Sequence, residues 1–335
     1  MPDSSAASSP PDRVLVTGAA GFIGSQLAVT LLARGAQVVG LDNFDPFYPA
    51  ALKRANLAAA LAHPRFTLVE ADCRDRAALN RLFAAFGPFD AIAHLAARAG
   101  VRPSLAQAGL YFDINVRGTQ ALLEAVAATV PRTRFVHASS SSVYGSAQGP
   151  FREDQTLGRP LSPYAASKHA SELVAHVAHH LHGIPVTVLR FFTAYGPRQR
   201  PDMAIPQFAA RLLRGEPVRL YGGGESHRDY TYVGDIVDGV IRALERADGY
   251  RTYNLGSGRL TRLDELVRGL AAALDVPLRA EPAPAQPGDV PLTWADISLA
   301  RKDLGWEPRT SLEEGLARAA EWWRGPGAAV SLPAQ

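Results

Sequence analysis

The chain has 335 residues, long for one domain and natural for two fused around a cleft. Its 47% hydrophobic content fills a globular core, and no apolar run reaches membrane-spanning length, so a cytoplasmic protein with no membrane partner is expected. A net charge of +3 without a lysine-rich tract excludes any argument for nucleic acid, and Cys73, the one cysteine, excludes an intrachain disulfide.

Residues 1–12 lack the basic start and apolar stretch of a signal peptide and read as a disordered tail. Arg13 to Thr17 is an apolar run of strand length, Gly18-Ala19-Ala20-Gly21-Phe22-Ile23-Gly24 follows, and Ser25 to Arg34 has a helical pattern. Glycines between a strand and a helix permit a tight turn, let backbone approach a pyrophosphate, and leave the helix N-terminal amides free for the phosphates. Gln37 to Leu41 forms a second strand ending at Asp42, 18 residues past Gly24. An acid there accepts both ribose hydroxyls and repels a 2′-phosphate, which favours NAD over NADP.

Strand and helix then alternate as a parallel sheet requires. Phe66 to Glu70, Asp90 to His94, Arg134 to Ala138 and Val186 to Arg190 read as strands; Ala77 to Phe86 and most of Ser104 to Thr129 read as helix. The fold class is α/β, a Rossmann-type doubly wound parallel sheet with helices on both faces and a smaller mixed α/β C-terminal substrate domain. The expected division is an NAD-binding domain over 13–190, with later segments free to interleave, a mainly substrate-binding domain over 191–325, and a tail at 326–335. A hairpin-like stretch is expected at Val218 to Gly224. Asp42, Asp72 and the run Ser139-Ser140-Ser141-Ser142 all fall at strand carboxyl ends, where ligands of such sheets bind.

Ser162-Pro163-Tyr164-Ala165-Ala166-Ser167-Lys168 opens the next helix, with Ser162 as N-cap and Pro163 as first helical residue. Four residues apart, Tyr164 and Lys168 share a face. A tyrosine base at neutral pH needs its pKa lowered by roughly three units, about 4 kcal/mol, and an adjacent ammonium helps in that direction. Lysine is scarce: Lys53, Lys168 and Lys302 are the only three among 35 Lys+Arg residues. A serine hydroxyl at a strand end near the tyrosine completes a set able to move a proton at a substrate oxygen.

Over residues 13 to 325 the chain resembles the extended short-chain dehydrogenase/reductases, specifically nucleotide-sugar epimerases and dehydratases. The likeness rests on the glycine triplet, Asp42-Asn43, His94-Leu95-Ala96-Ala97, Asn115, Ser139 to Gly145, Tyr164/Lys168 and Arg228-Asp229-Tyr230. It implies a catalytic triad of Ser140, Tyr164 and Lys168, with bound NAD as cofactor and no metal. It places Asp72-Cys73 at the adenine, and Gly18, Gly21, Phe22, Ile23, Gly24, Asp42, Asn43, Leu95, Ala96, Ala97, Tyr164, Lys168 and Phe192 along the cofactor, with Asn115 both a cofactor contact and an organiser of the site. Dimerisation through a helical bundle of Ser104 to Thr129 and Pro163 to His182 is also implied.

Dehydratases of this family carry an Asp-Glu pair after the serine, and UDP-glucuronate decarboxylases an acid just before Val-Tyr-Gly; here both positions are serine, Ser141 and Ser142. The strings Ala99 to Ser104, Arg190 to Met203 and Gln286 to Pro291 resemble the UDP-glucuronate 4-epimerases in particular. Relatives acting on neutral hexoses commonly place asparagine where Thr193 stands and arginine where Gln286 stands. The likeness therefore implies a UDP-sugar substrate held by Arg102, Ser141, Ser142, Thr193, Arg200, Arg228 and Asp289, and C4 epimerisation of a UDP-uronic acid. A UDP-glucose 4-epimerase is the alternative; a dehydrogenase, a decarboxylase and a non-catalytic NAD-binding protein are more remote. Gly234 departs from the family, which often has an acid there.

Overall fold

The computed structural model describes residues 10–129, 132–284, 292–325 and 327. Its centre is a sheet of β1 (Arg13–Thr17), β2 (Gln37–Asp42), β3 (Phe66–Glu70), β4 (Ala91–His94), β5 (Arg134–Ser140), β6 (Val186–Phe191) and a seventh strand, Tyr250–Leu255. The spatial order is β3-β2-β1-β4-β5-β6 followed by Tyr250–Leu255, with every pair parallel. Central parallel strands are covered on both faces and need continuous apolar runs. Val14, Leu15, Val16, Ala91, Ile92 and Ala93 meet that need at 0% exposure. Strand order reverses between β1 and β4, which opens a crevice at their carboxyl ends.

One face packs helix α1 (Phe22–Ala33) and the Val233–Arg246 helix through Leu27, Leu31, Val237, Val240 and Ile241. The other face carries the Arg76–Phe86, Gly118–Thr129 and Pro163–His182 helices through Leu79, Leu122, Val126 and Ala175. A third cluster, with Ile205, Phe208, Leu266, Leu270, Leu316 and Trp323, is the core of the smaller unit.

Residue 190 is not where the sheet ends. The chain leaves after β6, returns over 233–255 to supply a helix and the edge strand, and leaves again. The expected hairpin at Val218 to Gly224 is also absent: Val218–Tyr221 pairs in parallel with Ala280–Ala283, about sixty residues on. Gly222, Gly223 and Gly224, all at positive φ, form a tight turn that leads the chain away instead of folding it back.

Asp229 ties the returning segments together. Fully buried, it accepts from the amides of Ser257 (2.5 Å), Gly258 (3.0 Å) and Ala295 (3.2 Å) and from the Thr231 hydroxyl (3.1 Å). Most of the expected tails, and the Gln286 to Pro291 string with Asp289, lie outside the described residues.

Candidate active site

The crevice is a cavity of about 460 Å³ running from the glycine loop to the Tyr164 helix. Gly18 sits at φ +70°, and a Cβ there would stand 2.8 Å from the Ala96 amide nitrogen, so only glycine lets the two loops approach. A Cβ on Gly24 would lie 2.1 Å from the Gly18 carbonyl oxygen, which fixes how closely α1 sits on the turn. The α1 N-cap is Gly21, which has no side chain to occupy the first amides, so the helix N-terminus faces the cavity open to an anion. This backbone cradle fits the diphosphate of a dinucleotide.

At the far end of that half, Asp42 Oδ2 accepts from the Ala20 amide (3.0 Å) and Oδ1 from the Phe44 amide (2.8 Å). The carboxylate is thereby held rigidly, with lone pairs left for ribose hydroxyls. Asn43 donates to Asp72 at 2.8 Å. Burial works to raise the Asp72 pKa, but hydrogen bonds from Arg74 and Asn43 outweigh it and bring it down to about 2. Cys73 is buried and its thiol is pushed up to about 12, mainly by that burial, so it is no nucleophile. Phe22, Ile23, Leu95, Ala96, Ala97 and Phe192 line the same cavity.

Asn115 is placed differently from the expectation of a cofactor contact. At 1% exposure, in a π-turn over Asp113–Arg117, it accepts from the Arg98 amide (2.7 Å) and donates to the Arg98 carbonyl (3.0 Å) and Ser167 Oγ (2.9 Å). Both amide protons are consumed in tying the loop after β4 to the Tyr164 helix. It organises the site from behind.

Ser140, Tyr164 and Lys168 all face the cavity. Ser162 caps the helix through the Ala165 amide at 3.1 Å, which sets the turn on which Tyr164 stands. Ser140 ends β5 and caps a short 3₁₀ turn, accepting from the Ser142 amide at 3.2 Å. Lys168 Nζ donates to the Ala138 carbonyl at 2.7 Å. Burial draws the Lys168 pKa down to about 8, opposed by the charge of Glu172. The Tyr164 pKa is raised by burial, and the influences that lower it are a hydrogen bond with Ser140 and the charge of Arg200. Lys168, expected to help lower it, is not among those influences, its ammonium being directed to the strand carbonyl.

Ser141 and Thr193 line both this cavity and an adjoining one of about 180 Å³, which also takes in Ser142, Arg228 and Thr293. Arg200 enters the main cavity with its guanidinium on Asp202 (3.0 and 2.8 Å) and over the Phe47 ring (4.9 Å). Arg102 instead lies exposed, its guanidinium 5.5 Å from the Tyr221 ring centre. At the unusual Gly234, a Cβ would stand 2.7 Å from Cε1 of Tyr232, so that ring fills the space an acid would need.

Phe47, Tyr48, Lys53 and Arg98 also line the cavity and were not picked out from the sequence as site residues. Lys53 Nζ lies 4.0 Å from Asp42 Oδ1 at 8% side-chain exposure. The scarcity of lysine that draws attention to Lys168 applied equally to Lys53 and was the available signal. Among the described residues no cluster of three or more His, Cys, Asp or Glu is arranged to hold a metal ion.

A family model described as GDP-mannose 4,6 dehydratase matches residues 15–319. The UDP-glucuronate 4-epimerase of Thermodesulfobacterium geofontis is 40% identical over 309 residues, 92% of this chain and 95% of that protein. The crystal structure of UDP-glucuronic acid 4-epimerase from Bacillus cereus, in complex with UDP-glucuronic acid and NAD, superposes with a TM-score of 0.87 at 36% identity, covering 93% of this chain and 99% of that one. UDP-glucose 4-epimerase from Thermotoga maritima, with UDP-glucose, gives a TM-score of 0.85 at 32% identity over 94% and 99% of the two chains.

The Asp42 environment yields a test of cofactor choice. Replacing Asp42 by Ala removes the carboxylate expected at the ribose and its negative charge, while leaving Lys53 in the cavity as a cation for a 2′-phosphate. We expect the NAD:NADP affinity ratio to fall by about tenfold or more, a change of at least ~1.4 kcal/mol. Calorimetric titration of both dinucleotides measures it, and an unchanged ratio removes Asp42 from the ribose.

Proposed function

The chain belongs to the nucleotide-sugar epimerase and dehydratase family of extended short-chain dehydrogenase/reductases, matched by the GDP-mannose 4,6 dehydratase model, and we propose that it interconverts UDP-glucuronate and UDP-galacturonate by NAD-dependent epimerisation at C4. The observation that carries this reading is the set of three hydroxyl side chains, Ser141, Ser142 and Thr193, beside Ser140 and Tyr164 in one cavity.

The Gly18 to Gly24 turn and the α1 N-terminus hold the NAD diphosphate, and Asp42 holds the adenosine ribose. Bound NAD would supply the hydride acceptor at C4 and, once the 4-keto sugar had turned over, the hydride donor to its opposite face. Tyr164 takes the O4 proton as the alcohol becomes a ketone and gives it back on reduction, with Ser140 bridging the phenol and O4. Lys168, on the same helix face, supplies positive charge that favours the phenolate. Ser141, Ser142 and Thr193 hold the C5 carboxylate. Charge-assisted hydrogen bonds of about 1.5–3 kcal/mol each favour it over a neutral hydroxymethyl group, which would leave donors unpaired. The 4-keto uronate is a β-keto acid prone to lose carbon dioxide. Donors that stabilise the localised carboxylate more than its charge as it spreads to an enolate oppose that loss.

We place the enzyme in the cytoplasm as a homodimer. Among the described residues no helix is long and apolar enough to cross a membrane. The Tyr164 helix exposes Leu173, Val177 and Leu181 on one stripe, with Leu105 and Phe112 exposed nearby in chain order on the preceding helices. An apolar stripe of this kind fits a second copy of the same bundle.

Four outcomes are expected. Tyr164→Phe keeps fold and NAD binding but lowers turnover by several orders of magnitude, and near-wild-type rates in that variant would rule out the triad. With a panel of UDP-sugars resolved by proton NMR, UDP-glucuronate and UDP-galacturonate interconvert while UDP-glucose is poorer by about tenfold or more in kcat/KM; equal efficiency on UDP-glucose overturns the uronate assignment. In the same assay Ser141→Ala/Thr193→Val loses uronate preference and releases UDP-pentose. For assembly, Leu173→Glu/Leu181→Glu should sediment as a monomer where the wild type sediments as a dimer, and an unchanged coefficient would reject that interface.

A further inference from the structure

Lys168 is 4% exposed and stands on a buried polar layer whose proton positions follow from its hydrogen bonds. Thr119 donates to the Asn115 carbonyl (2.6 Å), so it accepts from His94 Nε2 (2.9 Å), while Thr17 donates to His94 Nδ1 (2.8 Å). Ser171 donates to the Lys168 carbonyl (2.7 Å), so it accepts from His137 Nε2 (2.8 Å). His137 Nδ1 is left with a bare lone pair, without a hydrogen-bond partner among the described residues. Both imidazoles are neutral: burial, and secondarily the Lys168 charge, takes His94 down to about 3 and His137 well below its ordinary value. Neither balances the ammonium.

One turn further along the helix, Glu172 is buried at 4% exposure. Its Oε1 accepts from Ser139 Oγ (2.5 Å) and Arg190 Nε (3.0 Å), and its Oε2 from Arg190 Nη2 (2.8 Å). Two guanidinium bonds and a hydroxyl satisfy both oxygens of this buried carboxylate. Its bonds reach Ser139 at the end of β5, between Ala138, which receives the lysine, and Ser140, and Arg190 on β6.

We propose that Glu172 is a positioning residue: it stands one helical turn from Lys168 as the counter-charge to the ammonium and, through Ser139 and Arg190, fixes the strand end that presents Ser140. The groups facing Lys168 are Tyr164 and Glu172 on its own helix, His94 from β4 and His137 from β5, and of these only Glu172 carries a compensating charge. This proposal rests on the assignment of Lys168 to the triad, but its test does not depend on the sugar.

Lysine labelled with ¹³C at Cε gives three signals, from Lys53, Lys168 and Lys302, assignable with Lys53→Arg and Lys302→Arg. In the wild type the Lys168 signal should titrate near pH 8. In Glu172→Gln, which keeps the side-chain size and an acceptor for Ser139, the midpoint should fall by about one unit or more, while Lys302 does not move. The alkaline limb of kcat/KM for UDP-glucuronate should fall with it; absence of activity on that sugar would reject the substrate and leave the lysine titration standing. A Lys168 midpoint unchanged in a folded Glu172→Gln protein overturns the proposal. Should that variant not fold because Arg190 is left uncompensated, Glu172→Gln/Arg190→Met removes both charges. Its Lys168 midpoint should still lie below the wild-type value, and equality with wild type overturns the proposal.

Discussion

A lysine ammonium removed from water beneath the end of a parallel strand sets the terms for everything around it. Isolated in a low-dielectric interior, a cation shifts towards its neutral form or recruits partners. Lys168 does some of each: its pKa comes down to about 8, and it is held by the Ala138 carbonyl with Glu172 one turn away. Burial and the Lys168 charge keep the neighbouring histidines neutral, while Thr17, Thr119 and Ser171 fix their ring nitrogens, so neither adds a positive charge. Glu172 in turn needs Arg190, which places a buried ion pair between helix and sheet. Removing one member of such a pair costs about 3–5 kcal/mol, so catalytic geometry and stability share the same residues.

Sheet topology concentrates the remaining chemistry. Parallel strands end on one edge, so Gly18 after β1, Asp42 at the end of β2, Asp72 after β3, Leu95 after β4, Ser140 on β5 and Phe192 after β6 meet in one crevice. The residues proposed for the substrate side include some from outside that series. Thr193 pairs with Tyr230 in a short parallel ladder, and Arg228 is placed by its neighbour Asp229, whose four hydrogen bonds join strands and loops remote in sequence. The smaller unit therefore acts as a framework that brings arginines and hydroxyls over the cofactor half.

Burial and neighbouring groups act on Tyr164 in opposite directions. Burial raises its pKa, while a hydrogen bond with Ser140 and the charge of Arg200 lower it. The serine that ends β5 therefore stands beside the phenol and eases its ionisation.

Read alone, the sequence determined the glycine turn, the alternation of strands and helices, the Ser162-capped helix with Tyr164 and Lys168 on one face, and the acid at the end of β2. Each of these is local: a turn needing positive φ, a period, a cap or a fixed spacing is written in neighbouring residues. Tertiary structure alone decided that Tyr250–Leu255 closes the sheet, that Val218–Tyr221 pairs with Ala280–Ala283, that Asn115 works from behind the site, and that Lys53 faces Asp42. It also decided that the Lys168 ammonium points to Ala138 and that Glu172 and Arg190 lie beneath it. These are contacts between residues tens of positions apart, or choices among rotamers of one residue. Neither leaves a periodic trace in the chain, because the physics that selects them is burial and charge pairing across the assembled core.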